Sequence, residues 1–335
     1  MKKILVSILS EHAVPNYLFI KEMKGKFDEL LFVTTLKVAA LQRGRQIEQA
    51  LCREEFSEKR IEVESDDYQS ILSSLSEQCA DLDHYYIVNL TGGTKMMSLA
   101  VHDFFMKAEH HAFYYIPIGR NVYYSLEDGV EHPITYRMKL NEYLMLYGLR
   151  YTAEPEMMRS EEEAVRLFGK VKSRNFYLPD FMFRAKEIYE DSSERTYFSG
   201  AWFEEYVYYR IKRELNLGDD YIAKGVKIFR NVNDATNDNE LDVVFMHENM
   251  LHVIECKVTM YGNDKEKKVK DTVDKYLYKL AAISKDFGLV VNSYLCSLHR
   301  FGSDQESMSA DRRRRILGIK AIIGTRELSE PRIQL

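Results

Sequence analysis

The sequence predicts an α/β protein with two domains, and three observations lead to this prediction. The chain has 335 residues, which is more than one ordinary domain contains. Its first half alternates short apolar segments with amphipathic ones, as parallel sheets covered by helices do. A second set of apolar segments follows a stretch of different character. We therefore expect an N-terminal α/β domain at 1–135, a connector at 136–196 and a C-terminal α/β domain at 197–335.

Composition places the chain among globular proteins. Hydrophobic residues make up 45% of the chain and charged residues 30%, which is ordinary. The four cysteines form no C-x-x-C pair, which argues against a disulfide framework or a zinc site. We expect a cytoplasmic protein, because no segment approaches the roughly 20 apolar residues of a membrane span and the N-terminal apolar run is short for a signal peptide. With a net charge of −5, binding of a polyanion would depend on local basic patches.

Four apolar segments of the first domain are predicted strands, each followed by a predicted helix. The strands are KKILVSIL, ELLFVTT, RIEVES and HYYIVNL, and HAFYYIPIG and NVYYSLEDG look like two closing strands. Ligands bind beyond the carboxyl ends of such parallel strands. The polar loops that follow the strands are therefore the expected place for a ligand site.

The segment TGGTK joins one of these strands to a helix. It is neither a P-loop nor a G-x-G-x-x-G pattern. Its two glycines nevertheless permit close approach of the backbone, and the helix N-terminus attracts anions. The alternative is a tight Gly-Gly turn with a capping threonine. The segments LSEHAVPN and TTLK follow other strands, so the sequence predicts one ligand shelf made of three loops.

The segment NELDVVFMHENMLHVIECK predicts a β-hairpin in the second domain. With a two-residue loop at Glu248 and Asn249, Asp242 lies directly opposite Glu255, and Lys257 shares their face. Two carboxylates this close repel unless a cation lies between them. A divalent metal with oxygen ligands, Mg²⁺ or Mn²⁺, meets this need. The alternative is a buried or edge network of salt bridges.

A further carboxylate is expected from the helix SGAWFEEYVYYRIKRELN. On a helical wheel Glu204 falls inside the apolar stripe and Glu205 falls outside it. We therefore expect Glu204 to be directed inward and to assist the metal directly or through water, although a surface acid is the alternative. The Cys256 side chain is expected on the opposite face of its strand, so only its backbone carbonyl could be a metal ligand.

Asp242 together with Glu255-Cys256-Lys257 resembles the PD-(D/E)-x-K motif of restriction-endonuclease-like domains. Leu241 stands where the motif has proline. The resemblance implies metal-dependent hydrolysis of phosphodiester bonds. Asp242 and Glu255 would bind the metal, and Lys257 would position the attacking water and offset charge.

The segments ILVSILSEHAVPNYLFIK, LLFVTTLK and NLTGGTKMMSLA resemble the CARF domain of CRISPR-associated proteins. With GAWFEEYVY, NELDVVF and VIECK, the chain is similar to the Card/Can group of CRISPR ancillary nucleases. This resemblance implies a homodimer in type III CRISPR antiviral defence, which cleaves RNA or DNA when a cyclic oligoadenylate, foremost cyclic tetra-adenylate, binds. It assigns ligand contacts to Ser10, Glu11, Asn16, Thr34, Thr35, Lys37, Thr91, Gly92, Gly93, Thr94 and Lys95.

Other interpretations stay open. CARF domains also occur with DNA-binding units, so the chain could be a ligand-regulated transcription factor with a helix-turn-helix in 136–190. It could also be a ring nuclease that degrades its own activator. Within the family resemblance, Lys279 matches a position presented toward the active site. The run RRRR at 312–315 could contact phosphates, and the sequence does not choose between RNA, single-stranded DNA and duplex DNA.

Overall fold

Two units make up the chain, and each contains one sheet with helices. In a computed structural model, the contacts divide the chain into Met1–Leu149 and Arg150–Leu335. No helix in the described part of the chain is long and apolar enough to cross a membrane. The predicted α/β class is confirmed. The structure describes residues 1–41, 43–51, 57–79, 81–154, 156–229, 239–259, 269–288 and 290–335.

The first unit has a seven-stranded sheet in the order β3-β2-β1-β4-β5-β6-β7. Strands β1 to β5 pair in parallel, and β6 and β7 complete the sheet in antiparallel pairing. Its elements are β1 (Lys3–Ile8), α1 (Val14–Glu22), β2 (Glu29–Thr34), α2 (Leu36–Ala40), α3 (Arg43–Ala50), β3 (Ser57–Glu62), α4 (Tyr68–Gln78), β4 (Tyr85–Asn89), α5 (Lys95–Phe105), β5 (His110–Tyr115), β6 (Val122–Ser125), β7 (Glu131–Pro133) and α6 (Leu140–Leu146).

The second unit has a six-stranded sheet in the order β13-β12-β11-β10-β9-β8. Strands β8 to β11 pair in antiparallel fashion, and β11, β12 and β13 pair in parallel. Its elements are β8 (Arg150–Thr152), α7 (Glu161–Ser173), α8 (Asp180–Phe183), α9 (Ala185–Ile188), α10 (Ser192–Thr196), α11 (Trp202–Glu214), β9 (Ile222–Phe229), β10 (Asn239–His247), β11 (Met250–Lys257), α12 (Val269–Ser284), β12 (Val291–Ser297), α13 (Gln305–Ile316), β13 (Ala321–Ile323) and α14 (Thr325–Ser329).

The predicted connector contributes to both units. Of residues 136–196, α6 belongs to the first unit, and β8 with α7 to α10 belongs to the second. β8 pairs with β9 and so forms the edge of the second sheet. A π-helical turn at Tyr197–Ala201 then leads directly into α11.

The register of the β10–β11 hairpin is the one that the sequence predicts. His247 pairs with Met250, and Val243 pairs with Ile254. The two loop residues Glu248 and Asn249 have φ values of 50° and 59°. Two consecutive positive φ angles belong to a type of two-residue turn whose twist matches the flanking strands. The short loop therefore fixes the register of the whole hairpin.

The two faces of the second sheet are covered by different helices. Trp202 and Phe203 of α11 belong to one buried apolar cluster with Val243 and Ile254, so α11 covers that face. Successive side chains of a strand point to opposite faces. Asp242, which is adjacent to Val243, therefore points to the other face, as does Glu255, which is adjacent to Ile254. Helix α12 packs on that other face, against β12. The predicted acid pair is thus placed between the sheet and α12.

Candidate active site and ligand-binding loops

Asp242 and Lys257 meet at the end of the hairpin away from its turn. Asp242 Oδ2 accepts a hydrogen bond from the backbone N–H of Cys256 at 2.7 Å. Lys257 Nζ lies 3.3 Å from the same oxygen. Only 12% of the Asp242 side chain and 22% of the Lys257 side chain are exposed. The register thus brings an acid and a base from two strands into one mostly dry position.

Glu255 is the most deeply buried acid of the group, with 2% of its side chain exposed. Lys257 Nζ lies 2.9 Å from Glu255 Oε1. Lys279 Nζ, from α12, donates to both carboxylate oxygens at 2.9 and 3.1 Å. Burial of a carboxylate is costly unless it is paired and hydrogen-bonded. The two ammonium groups supply that pairing, and Lys279 joins the predicted constellation.

Burial and the neighbouring charges shift the pKa values of this group. Burial raises the pKa of the Asp242 carboxyl, and Glu255 raises it further, against the opposing charge of Lys257. Burial opposes the charge of Lys257, but Asp242 and Glu255 outweigh it and raise the pKa of Lys257 above its ordinary value. Lys257 Nζ also lies 5.0 Å from the centroid of the Tyr276 ring. Lys257 is therefore held as a cation between two acids.

Glu204 lies within electrostatic reach of Asp242, which agrees with the inward direction that the helical wheel predicts. Burial raises the pKa of Glu204 to about 7, and Asp242 is the next cause. Lys224 and Lys257 act in the opposite direction. The charges that act on the Glu204 carboxyl therefore come from three neighbouring strands, β9, β10 and β11.

The expectation for Glu205 is wrong. Glu205 falls outside the apolar stripe on the wheel, yet it is completely buried. Its carboxylate accepts the backbone N–H of Met158 at 2.5 Å and that of Arg159 at 3.2 Å. The helical wheel compares residues of α11 with one another, so it contains no information on the distant backbone N–H groups that Glu205 accepts.

Lys224 and Glu154 form an ion pair beside this group that the sequence reasoning does not include. The Lys224 side chain is 1% exposed, and its ammonium group contacts the Glu154 carboxylate. The signal is present in the strand IAKGVKIF, where a lysine follows two apolar positions. Gly225 follows it with a φ of 58°, and a Cβ there would lie 2.6 Å from Glu154 Cγ. The Gly225 backbone thus allows Glu154 to reach the buried lysine.

The Cys256 side chain faces away from the acids. It is 4% exposed and lies in the apolar cluster that α11 covers. Burial and the neighbouring Cys296 raise the pKa of the Cys256 thiol well above its ordinary value. The prediction that this side chain packs in the core is therefore confirmed.

The donor atoms of the group fit a hard divalent cation in kind. Asp242, Glu255 and Glu204 offer carboxylate oxygens and Cys256 offers a carbonyl, the ligands that Mg²⁺ and Mn²⁺ prefer. Within the ranges that the structure describes, no group of three or more His, Cys, Asp or Glu side chains is arranged to hold a metal ion. Both carboxylate oxygens of Glu255 accept hydrogen bonds from Lys279.

The three predicted ligand loops leave the same edge of the first sheet. β2, β1 and β4 are neighbours and run in parallel. The carboxyl ends of parallel neighbours lie at one edge. The loops after Thr34, Ile8 and Asn89 are therefore adjacent.

Gly92 and Gly93 lie where only glycine fits without strain. Their φ values are 104° and 66°. A Cβ on Gly92 would lie 2.6 Å from the backbone oxygen of Ile8, and one on Gly93 would lie 2.5 Å from Ile8 Cγ2. The turn therefore packs its backbone directly against the end of β1, and a side chain at either position would force the two loops apart.

The threonines of the TGGTK segment also serve the fold. Thr94 caps α5 by accepting the backbone N–H of Met97 at 3.2 Å, and its hydroxyl donates to the carbonyl of Ser65. Thr91 is 5% exposed and accepts the backbone N–H of Ile116 at 2.7 Å. The capping interpretation of this segment is therefore correct for Thr94, and it does not conflict with anion binding at the same turn.

Asn16 and Ser10 brace the first of the three loops. Asn16 is completely buried, and its amide donates to Ser7 Oγ at 2.8 Å and to the carbonyl of Ile8 at 2.7 Å. Ser10 Oγ donates to the carbonyl of His12 at 3.0 Å. Ser7 is the polar residue within the apolar part of the strand KKILVSIL. That exception in the pattern is the feature of the sequence that indicates a buried polar contact at this position.

The remaining predicted ligand residues differ in exposure. Thr34 is 2% exposed, and Thr35 caps the start of α2. Lys37 Nζ lies 2.7 Å from Glu11 Oε1 in an exposed ion pair. Lys95, the first residue of α5, is exposed. Lys37 and Lys95 thus bring two ammonium groups to the edge of the sheet where the glycine turn lies.

The fold and the two sites define a protein that joins a ligand-sensing domain to an endonuclease domain. One family model, described as Card1 CARF domain, matches residues 4–143. Another, described as Card1-like, endonuclease domain, matches residues 191–334. The chain belongs to the CARF nucleases of the Card/Can group. No curated protein matches the sequence significantly.

Three solved structures have a similar fold. Protein VC1899 from Vibrio cholerae is 19% identical with a TM-score of 0.73, over 97% of this chain and 95% of that one. Can2 from Sulfobacillus thermosulfidooxidans, solved with cyclic tetra-adenylate, is 22% identical with a TM-score of 0.70, over 96% and 95%. A type III CRISPR defence DNA nuclease activated by cyclic oligoadenylate is 19% identical with a TM-score of 0.56, over 89% of this chain and 45% of that one. At these identities the likeness concerns the fold alone.

Proposed function

We propose that this protein is a metal-dependent endonuclease of type III CRISPR defence that a cyclic oligoadenylate activates. One observation carries the proposal: Asp242, Glu255 and Lys257 converge on one sheet face inside a domain of an endonuclease family. A protein that only binds its ligand, such as a transcription factor, has no need to bury two acids and a base together, because such burial costs stability.

The proposed metal ligands are the acids of the two strands. Asp242 and Glu255 would hold a Mg²⁺ or Mn²⁺ ion, with the carbonyl of Cys256 and, directly or through water, Glu204. A divalent ion there would supply positive charge to the scissile phosphate and lower the pKa of a bound water. The coupling of Glu204 to Asp242 supports a shared role, since two acids that disfavour each other's charge are both relieved by one cation.

The lysines act on the phosphate and on the acids. Lys257, held as a cation, would position the attacking water and offset the charge that develops on the phosphate. Lys279 neutralises Glu255 from the helix side, so the buried acid keeps its place between sheet and helix. Entry of a metal ion would require Glu255 to exchange a lysine contact for the ion, and Lys279 would then be available to the phosphate.

The ring-shaped activator would bind at the loops of the first unit. The glycine turn offers backbone N–H groups and a helix N-terminus, which attract phosphate. A cyclic oligoadenylate repeats its phosphates, and a two-fold homodimer presents the same loops twice. The complex of Can2 with cyclic tetra-adenylate supports this ligand. The proposed contacts are Ser10, Glu11, Asn16, Thr34, Thr35, Lys37, Thr91, Gly92, Gly93, Thr94 and Lys95.

A cleavage assay tests the proposed function. It combines cyclic tri-, tetra- and hexa-adenylate with RNA, single-stranded DNA and supercoiled DNA, each with Mn²⁺, Mg²⁺ or a chelator. Cleavage that needs both an activator and a metal is expected, and its absence from every combination would refute the proposal. The integrity of the activator, followed in the same reactions, decides whether the chain is also a ring nuclease. Mass measurement with and without activator tests the homodimer.

A further inference from the structure

Tyr276 of α12 contacts the ammonium group of Lys257 through its aromatic ring. Lys257 Nζ lies over the ring, 5.0 Å from its centroid, and a ring attracts a cation within about 6 Å. An ammonium group has three N–H donors. Two acids lie near these donors, with Glu255 Oε1 at 2.9 Å and Asp242 Oδ2 at 3.3 Å from Nζ. The Tyr276 ring is thus a third partner of this ammonium group, and it carries no charge.

Lys279 lies on the same flank of α12 as Tyr276. Residues three apart are neighbours on a helix surface, and Lys279 Nζ lies 2.9 Å from Glu255 Oε2. Glu255 and Lys257 are two residues apart on β11 and share one face of the strand. Helix α12 therefore presents two side chains to two residues of one strand, a cation to the acid and a ring to the cation.

The opposite flank of α12 carries a second tyrosine with a different partner. Arg313 of α13 donates from Nη1 to the Tyr278 hydroxyl at 2.8 Å, and its guanidinium carbon lies 5.7 Å from the ring centroid. Arg313 Nε lies 2.8 Å from Asp274 Oδ1 on the same flank. Both tyrosines thus hold a cation against α12, but of the two it is Tyr276 that holds a cation of the acid–base group.

The ring differs from the two acids in what else it can bind. Asp242 and Glu255 are the proposed metal ligands, so their oxygens would be shared between Lys257 and the ion. A hard divalent cation takes oxygen ligands and does not compete for the face of a ring. The lysine side chain is a flexible stem of four carbons, so an ammonium group that shares its acids needs another contact to keep its position. The Tyr276 ring supplies that contact.

We propose that the Tyr276 ring holds the Lys257 ammonium group in place during the reaction, which makes Tyr276 a positioning residue of the nuclease. This inference rests on the proposed nuclease function. The ring carries the role and the hydroxyl does not. Loss of the ring should therefore slow the reaction through Lys257 and leave the affinity for the nucleic acid strand unchanged.

Nuclear magnetic resonance of the Lys257 side chain tests the contact without any cleavage. The full-length chain carries labelled lysines, and the Lys257 signal is assigned by its loss in Lys257→Arg. An aromatic ring shifts the signals of protons over its face upfield, so the CH₂ group beside the ammonium should be shifted in the wild type, without and with Mg²⁺. Tyr276→Phe should keep this shift and Tyr276→Leu should lose it. A wild type without the shift, a loss of the shift on addition of Mg²⁺, or a Leu variant that keeps it would overturn the proposal.

Cleavage kinetics of the activator-loaded, full-length chain test the role of the contact. Tyr276→Leu should lower kcat roughly tenfold with KM for the strand unchanged, and Tyr276→Phe should keep the kcat of the wild type. Tyr278→Leu is the matched control, because it removes a tyrosine from the same helix whose ring holds Arg313 instead. It should change neither kcat nor KM.

The outcomes separate this role from packing, from substrate binding and from the proposed function itself. Equal losses in Tyr276→Leu and Tyr278→Leu would show a general effect on α12 and overturn the proposal. A raised KM with normal kcat, or a Phe variant as slow as the Leu variant, would overturn it as well. Normal kinetics of Tyr276→Leu in a protein that cleaves overturn the positioning role alone. A wild type that shows the shifted Lys257 signal and cleaves no strand overturns the proposed function, and the positioning role with it.

Discussion

Lys279 Nζ lies 2.9 Å from Glu255 Oε2 and joins α12 to the centre of the second sheet across 24 residues of sequence. Glu255 is thereby shared between two lysines, one from its own strand and one from the helix above it. Counted with Asp242, two acids face two lysines, so the charges of the group balance without any metal. In the proposed mechanism, one of these lysines moves away when a cation or a phosphate arrives. This relationship leads to the first two predictions.

Loss of Glu255 or of Lys257 should abolish cleavage and spare activator binding. Glu255→Gln removes a proposed metal ligand, and Lys257→Ala removes the cation between the acids. We expect each to lower the cleavage rate by at least about 10²-fold, while the affinity for cyclic tetra-adenylate measured by calorimetry stays unchanged. Glu240→Gln, at an exposed acid of the neighbouring strand β10, is the control. Full activity of either site variant would contradict the assignment.

Lys279→Met should weaken both the fold and the reaction. Glu255 then keeps only Lys257 as a charged partner, and we expect a loss of about 1–3 kcal/mol in the free energy of unfolding. Cleavage should fall roughly tenfold or more. Lys275→Met removes an exposed lysine of the same helix and should leave stability unchanged. Equal urea midpoints for the Lys279→Met variant and the wild type would show that the contact with Glu255 does not contribute to the fold.

The metal-free protein should lose stability as pH rises toward neutral. The pKa of Glu204 is about 7 in the folded chain against a reference of 4.5. Between these values only the folded state keeps the proton, so the free energy of unfolding falls as pH rises. Each pKa unit corresponds to about 1.4 kcal/mol, and we expect a loss of a few kcal/mol at most.

Melting temperatures across this pH range measure the effect, and Glu204→Gln should flatten the profile. The charges that act on Glu204 come from Asp242, Lys257, Lys224 and Glu154. The wild type and the Glu204→Gln variant must therefore both keep these four residues. Added Mn²⁺ should also flatten the profile, because a bound cation replaces the proton. A profile that is the same with and without Glu204 would contradict the pKa assignment.

Gly92→Ala should weaken activator binding through a steric clash, in addition to the strain that a positive φ angle causes in any residue other than glycine. The new Cβ would lie 2.6 Å from a backbone oxygen of β1. Gly129 has a φ of 69° and no atom within 4 Å of such a Cβ, so Gly129→Ala shares the conformational penalty of about 1 kcal/mol without the clash. We expect only the Gly92 variant to lose cyclic tetra-adenylate binding. Equal binding by both variants would show that the close approach of the turn is unimportant.

A contact of the site is predictable from the sequence when the two residues that form it lie close together along the chain. The hairpin aligns Asp242 with Glu255 because a two-residue loop fixes the register, and residues close in sequence carry that information. The helical wheel misplaces Glu205 because its partners, the N–H groups of Met158 and Arg159, lie 47 and 46 residues away. No local periodicity encodes such a contact.

The Lys224–Glu154 pair shows the same limit and carries the last prediction. Lys224 is almost completely buried, whereas 42% of the Glu154 side chain is exposed. Removal of one partner of a buried pair costs about 3–5 kcal/mol because it leaves a buried charge alone. Since Glu154 is partly in water, we expect Glu154→Gln to cost less, about 1–3 kcal/mol.

Replacement of both partners distinguishes charge balance from simple packing. In Glu154→Gln combined with Lys224→Met no charge is left buried, so part of the lost stability should return. Urea unfolding of the single and double variants measures this coupling. Purely additive losses would mean that the two side chains contribute separately. The double variant should also raise the pKa of Glu204 further, because Lys224 is the cation that opposes the raised pKa most, and the pH profile of melting should then move toward higher pH.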